Sequence, residues 1–283
     1  LSFRAIWTKV DTAILKTPWG PHVYEANAAR VLSLLRPEDR VLDIGGWGRP
    51  FNRANYVMDA MPYETRGYYG SRQGGEREYF SKETWIQRDI CDHQPYPFKD
   101  KELDFVICSH TLEDVRDPLW VCSEMVRIAK RGYLEVPSRL AESSRGVEPS
   151  QVGWSHHRWL VDIEGSGSSS GSSSGSGQGG ANEVRFLMKY HMIHSHWRFS
   201  LPASFVRRQP EEKQVQWLFW EDRFAFSEVT LHGVDTIAEE LERFVRGHGV
   251  YSEVRLAADA AARQVKSLAW RAVWKLQRTL RRA

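Results

Sequence analysis

The chain has 283 residues, 41% of them hydrophobic and 27% charged, with a formal net charge of +3. This balance excludes a disordered chain, which needs lower hydrophobicity or a larger charge imbalance, and the length supports one core with appended elements. No apolar run reaches the roughly 18–20 residues that span a bilayer, and Leu1-Ser2-Phe3-Arg4 lacks the apolar core of a leader, so neither a transmembrane helix nor a signal peptide is expected.

Residues 1–36 read as an N-terminal helical cap. Ala5 to Leu15 and Val23 to Leu35 carry apolar residues at three- and four-residue spacing, broken at Trp19-Gly20-Pro21. Residues 37–232 read as the main domain. Arg40 to Ile44, Tyr56 to Met58, Trp85 to Gln87, Leu103 to Cys108 and Tyr133 to Val136 are short apolar runs, each ending in a polar or Gly-rich turn. Leu119 to Lys130 is the best helix among them. Strands alternating with helical pattern predict a Rossmann-like, doubly wound α/β fold with a mostly parallel sheet.

His156 to Ile163 and Glu183 to Ile193 are expected to pair as an antiparallel hairpin. The Gly/Ser tract 165–180 between them has the composition of a flexible loop. Gln214 to Phe226 is aromatic-rich and expected to pack onto the sheet. Residues 235–283 form a helical extension: a capped helix over Asp235 to Arg246, then one or two helices over Ser252 to Arg282. The three cysteines, Cys91, Cys108 and Cys122, have no metal-like spacing and read as buried, reduced thiols of a cytoplasmic protein.

Charge is uneven along the chain. Without the seven bases of Arg263 to Ala283, the remainder carries 32 Lys and Arg against 36 Asp and Glu. A nucleic-acid enzyme would carry its basic surface on the body, so no nucleic-acid partner is expected. The tail is amphipathic, with Val265, Leu268, Ala269, Ala272, Val273, Leu276 and Leu280 on one face. It suits peripheral contact with an anionic membrane, or docking on its own acidic body or a second copy.

Four motifs carry chemistry. Val41-Leu42-Asp43-Ile44-Gly45-Gly46-Trp47-Gly48 is an apolar strand ending in an acid and a Gly-rich turn, where bare backbone can approach a ligand; an ordinary tight strand exit looks the same. Asn55-Tyr56-Val57-Met58-Asp59 places an acid where nucleotide-binding α/β folds hold ribose hydroxyls. Arg88-Asp89-Ile90 offers a carboxylate for an exocyclic amine and an aliphatic cover for a ring. Leu103 to Asp114 empties polar groups into the crevice at a strand's carboxyl end.

In this order and spacing, residues 40–138 resemble the class I S-adenosylmethionine-dependent methyltransferases, and are similar to bacterial members associated with surface polysaccharide synthesis. The resemblance implies that Asp43, Gly45, Gly46 and Gly48 cradle the methionine end of S-adenosylmethionine. It implies that Asp59 holds the ribose, that Asp89 and Ile90 contact adenine, and that Ser109 and His110 line the floor beneath the sulfonium. Two departures stand out. Trp47 and Arg49 occupy places where small residues are expected, and few residues separate Gly48 from the second strand, so the first crossover must be a short turn around Pro50 and Phe51.

His110 is the candidate base for a hydroxyl acceptor, with an ordinary pKa near 6.5; packing against the cofactor is the plainer alternative. Glu113 and Asp114 could orient it. His157, Arg158 and Trp159 are the candidate acceptor contacts, Arg158 for an anionic group. Of His156 and His157, alternation along a strand lets only one face the cleft. His191, His194 and His196 have no nearby Cys or acid to complete a ligand set, so no metal is expected. The many tryptophans weakly favour a sugar or glycan acceptor. The competing expectation is a catalytically degenerate scaffold on the same fold; a nucleotide-sugar enzyme is a third.

Overall fold

The structure, a computed structural model, describes residues 23–70, 73–145, 152–164, 183–194, 196–231 and 233–252, with Arg255, Ala258, Ala261 and Val265 beyond them. The short apolar runs form β1 (Val41–Ile44), β2 (Tyr56–Asp59), β3 (Trp85–Gln87), β4 (Phe105–Ser109) and β5 (Arg131–Pro137), all mutually parallel. β8 (Val215–Glu221) closes the far edge antiparallel to β5, giving the order β3-β2-β1-β4-β5-β8.

Two-residue alternation sorts the strand side chains onto two faces. Phe105, Ile107 and Tyr133 face α1 (Glu25–Leu34), which packs Val31 against them. Val106, Cys108 and Leu134 face α2 (Pro118–Ile128), which contributes Val121, Cys122, Met125 and Ile128. Burying each large apolar side chain of this kind contributes roughly 1.5–3 kcal/mol. Helix α2 starts where Asp117 accepts the Trp120 N–H at 3.0 Å and Pro118 fills the first turn. All three cysteines are buried and form no disulfide. The architecture is the expected mixed α/β, Rossmann-like one.

Residues 45–55 contain no helix, matching the short first crossover foreseen from the spacing. Phe51 makes an isolated parallel bridge to Gln73, and the Gly45 N–H donates to the Met58 carbonyl at 2.9 Å. A second sheet covers the α2 side. β6 (Trp159–Glu164) and β7 (Glu183–Met188) pair antiparallel as expected, and β9 (Ala225–Val229) joins β7 in parallel. Gln216 stitches the two sheets together, accepting from Ile163 N and donating to the Val161 carbonyl.

The aromatic segment differs from expectation. It does not lie on the sheet but enters it as β8, because its apolar residues alternate: Leu218 and Trp220 face the α2 side, Trp217 and Phe219 the α1 side. Pairing in β7 ends at Met188, and His191–His194 form a helical turn, α4. His194 and His196 therefore share no strand face. Short turns α3 (Arg139–Glu142) and α5 (Ala203–Val206) precede α6 (Val234–Gly247).

Helix α6 starts at Gly233, with φ +87° and no side-chain cap, rather than from a capping side chain. It packs Ile237 and Leu241 on Leu160, Leu187 and Phe199. The expected helix over 5–15, the tract 165–180 and, apart from Val265, the tail 263–283 lie outside the described residues. Among the described residues no helix is long and apolar enough to cross a membrane.

Candidate functional site

Parallel register brings the carboxyl ends of β1, β2, β3 and β4 to one edge, and their turns interlock there. Trp47 N donates to Asp59 Oδ2 at 3.1 Å, Arg88 N to the Asp59 carbonyl at 2.9 Å, and the Thr111 hydroxyl to the Ile44 carbonyl at 3.5 Å. Asp43, Asp59, Asp89, Ser109 and His110 thus gather on a single edge of the sheet. The ligand-binding crevice of open α/β sheets lies at such an edge.

Asp43 is 3% exposed and accepts the Phe51 N–H at 2.8 Å. Burial pushes its pKa up to about 7; the Phe51 hydrogen bond opposes this and the charge of Asp59 adds to it. The glycines are spaced for contacts within the chain. Gly45 has φ +77°, and a Cβ there would sit 2.1 Å from Thr111 Oγ1. A Cβ on Gly46 would meet Asp43 Oδ2 at 2.2 Å, and one on Gly48 would meet the Tyr69 ring at 2.5 Å. The Trp47 indole stacks on Tyr68 with centroids 5.2 Å apart. The bare backbone expected at Gly48 is therefore covered by Tyr69.

Asp59 accepts Trp47 N and Met61 N on its two oxygens, and burial raises its pKa. Asp89 accepts Cys91 N at 2.8 Å and Arg116 Nη1 at 2.6 Å. The Cys91 hydrogen bond, then the Arg116 guanidinium, hold its carboxyl below the usual range. Ile90 is buried in the core, with its carbonyl accepting from the Tyr96 hydroxyl. A cleft of about 400 Å³ opens beside Arg116, between Leu119, Trp159 and Glu228. Asp43, Asp59 and His110 do not line it.

His110 follows β4 with φ +49°, a left-handed conformation that a non-glycine residue holds only under constraint. Its Nε2 lies 3.2 Å from Glu135 Oε1 and its Nδ1 lies 3.7 Å from Glu113 Oε1. The two glutamate side chains are 1% and 0% exposed. Burial works against a charge here, but Glu113 and Glu135 outweigh it and lift the histidine pKa to about 10. His110 is therefore an imidazolium at neutral pH, not the group of ordinary pKa that the sequence suggested. Glu135 also accepts Tyr24 N at 3.0 Å and the Tyr133 hydroxyl, so one carboxylate joins the start of α1 to the histidine. Both Glu113 oxygens and the Ser109 hydroxyl are buried with no hydrogen bond from the described residues.

His157, Arg158 and Trp159 do not converge. Arg158 is exposed, while Trp159 is buried in the core and donates from Nε1 to the Val115 carbonyl at 2.8 Å. His156 and His157 precede β6, so strand alternation does not separate them. Both turn Nε2 toward Asp114, at 3.9 and 3.8 Å, with ring centroids 4.5 Å apart. His157 Nδ1 lies 2.5 Å from Glu142 Oε1, and the buried Lys189 ammonium reaches Glu142 Oε2 at 2.6 Å. Burial would raise the Glu142 pKa, but His157 and Lys189 win and bring it down to about 2.

A family model described as methionine biosynthesis protein MetW matches residues 25–139, from α1 to the start of α3 and less than half of the chain. No curated protein matches. Among solved structures, a Haloferax volcanii complex of a methyltransferase activator with a proposed methyltransferase matches at 19% identity and TM-score 0.32, covering 47% of this chain and 58% of that one. An arsenic(III) S-adenosylmethionine methyltransferase from Chlamydomonas reinhardtii matches at 17% identity and TM-score 0.26, covering 41% of this chain and 50% of that one. A TehB-like methyltransferase from Corynebacterium glutamicum matches at 13% and 0.31, covering 54% and 73%. The chain thus spans between half and three quarters of the length of these structures. At such scores the likeness carries no functional weight, and the fold rests on the strand order itself.

Proposed function

We propose that this chain is an S-adenosylmethionine-dependent methyltransferase acting on an oxygen of a sugar, glycan or other small polar acceptor. The observation that carries the reading is the gathering of Asp43, Asp59, Asp89, Ser109 and His110 at one sheet edge, with buried polar atoms of Ser109 and Glu113 that take no hydrogen bond from the described residues. Native interiors seldom leave such atoms unsatisfied, and a ligand is one standard reason for it. The residues fit an adenosyl-sulfonium: a buried acid for its amine, Asp59 for its ribose, and Asp89 with Ile90 for its adenine.

The cofactor supplies an activated methyl carbon. The chain's share is alignment and charge placement. Asp59 keeps a carboxylate at the β2 tip, anchored by Trp47 and Met61. His110 stands next in chain to Ser109 as a fixed positive charge, and stabilises negative charge on an acceptor oxygen while that oxygen's proton passes to solvent water. Glu113 and Glu135 are positioning residues that hold this charge. Arg158, exposed beside His157, supports an anionic or polyhydroxyl acceptor.

Isothermal titration with S-adenosylmethionine and S-adenosylhomocysteine tests the reading, followed by a methyl-transfer screen on sugar nucleotides and lipid-linked glycans with Asp59→Ala and His110→Ala as controls. Binding with transfer is the expected result. A second reading, a non-catalytic scaffold, is favoured by the Tyr69 ring over Gly48; absence of binding at millimolar cofactor would establish it. The basic tail is proposed as a contact for a second copy, and loss of self-association on truncation after Ala262 is its test.

A further inference from the structure

We infer that Asp114, His156 and His157 form a binding site for a divalent transition-metal ion. One ligand atom from each lies within 4.8 Å of the others, and no other such group of three occurs among the described residues. The set is two imidazoles and one carboxylate, the donor chemistry of zinc, cobalt, manganese and iron(II).

Three further features point the same way. First, Glu142 grips His157 at Nδ1, 2.5 Å away. An imidazole that gives its Nδ1–H to a carboxylate presents the Nε2 lone pair outward, and metal-ligating histidines are oriented in this manner. That Nε2 faces Asp114 Oδ1 at 3.8 Å, too far for a hydrogen bond and close to the span of two ligands on one ion. Second, Asp114 Oδ1 is buried and accepts no hydrogen bond from the described residues. Third, the outer parts of the site are supported. Lys189 fixes the other Glu142 oxygen at 2.6 Å, and the Trp154 ring stacks on His157 at 5.0 Å. His156, whose side chain is 57% exposed, already turns its Nε2 to within 3.9 Å of Asp114 Oδ2.

Three protein ligands leave positions for water or an oxygen-bearing ligand, the pattern of reactive metal centres. The site lies one residue beyond Glu113, and Glu113's carbonyl accepts both Arg158 N and Trp159 N. An ion there would offer a coordination position for an acceptor's oxygen. That role rests on the methyltransferase reading; metal binding itself does not.

The test uses the full chain, stripped with chelator, without S-adenosylmethionine. Zinc is titrated calorimetrically, and cobalt(II) is followed by its visible absorption. The expected result is one ion per chain, weakened at least about 10-fold by Asp114→Asn and by His156→Ala, with Glu142→Gln weakening it by about 10- to 100-fold through His157. Asp114 and His156 are chosen because both are partly exposed, so their variants keep the buried Glu142 network. His191→Ala and His196→Ala leave binding unchanged. No binding at millimolar zinc, or binding undiminished in the Asp114→Asn/His156→Ala double variant, overturns the proposal. Titration of S-adenosylmethionine on the same samples reports separately on the methyltransferase reading.

Discussion

His157 is buried and His110 largely so, and both stand between two carboxylates, yet their surroundings are built to different ends. Around His157 the acid is shared out: Glu142 meets His157 on one oxygen and Lys189 on the other. Around His110, Glu135 is saturated by Tyr24, Tyr133 and the imidazole, while Glu113 meets His110 only at 3.7 Å and accepts no hydrogen bond from the described residues. A fully satisfied buried network rigidifies and specifies a structure. A network with orphaned oxygens at the ligand-binding edge of a sheet is completed by something that binds. The same residue types therefore lock Glu142 into the scaffold in one place and leave Glu113 open to a ligand in the other.

The largest effect that separates the two belongs to Lys189. Its ammonium is 0% exposed, so Lys189→Met leaves Glu142 buried with one partner lost. A stability loss of about 3–5 kcal/mol is expected, read by urea denaturation, with cofactor affinity of the folded fraction preserved. If cofactor binding is lost while stability holds, the two networks have been assigned the wrong way round.

Next comes Asp59, where the opposite split is expected. Asp59→Ala removes one charged hydrogen-bonding partner of a ribose, worth about 1.5–3 kcal/mol. That is a weakening of roughly 10- to 100-fold in S-adenosylmethionine affinity, seen by calorimetry. Thermal stability changes little, since the Trp47, Met61 and Ala60 amides that lose a partner lie at the sheet's end, on residues that are partly or fully exposed.

A smaller effect is read through pH. His110 has a folded pKa of about 10, above its ordinary value of 6.5. Its charge therefore stabilises the fold fully below pH 6.5, and this contribution is lost as pH rises through 10. Thermal melts from pH 7 to 10.5 should fall for the native chain and fall less for His110→Gln. Glu135→Gln should move the loss to lower pH, because one of the two carboxylates holding the proton is gone. Identical profiles in all three proteins would remove the charged-histidine picture.

Much of this was legible in the sequence and some was not, for physical reasons. The strands, α2 and the β6–β7 hairpin follow from apolar period and turn residues, which act locally. Asp43, Asp59 and Asp89 were legible because acids at strand ends share an edge whenever the strands are parallel. Glu135 and Glu142 were missed. Glu135 is a lone acid in an apolar strand and Glu142 closes a short helical turn among polar residues, and the importance of each depends on what the topology brings to it from far along the chain. Glu135 receives Tyr24 from 111 residues away and Glu142 receives Lys189 from 47. For Glu135 the signal available was burial itself, since a glutamate inside a strand covered on both faces must be paired. The pKa of His110 was misjudged for the same reason: a sequence shows the histidine but not the two carboxylates folded around it.

Asp43 gives the finest test of the contrast. Its folded pKa, about 7, is raised above the ordinary 3.8 by burial, so the fold favours the protonated acid. The sign is the reverse of a salt-bridged carboxylate: Asp43 costs stability increasingly as pH rises from 3.8 through 7. Asp43→Asn keeps the shape and the oxygen that accepts Phe51 N, and cannot ionise. At pH 8 it should melt higher than the native chain by a few degrees, about 2–4 °C for each kcal/mol recovered. At pH 5 the two should nearly coincide. A cationic amine or sulfonium beside Asp43 would draw the proton off the native acid, so cofactor affinity should fall in the same variant that gains stability. Stability given up for a charge that only a ligand completes is the mark of a binding site. A variant that gains stability and keeps full affinity would show Asp43 to be core, and would leave the glycine turn as packing for Thr111, Asp43 and Tyr69 alone.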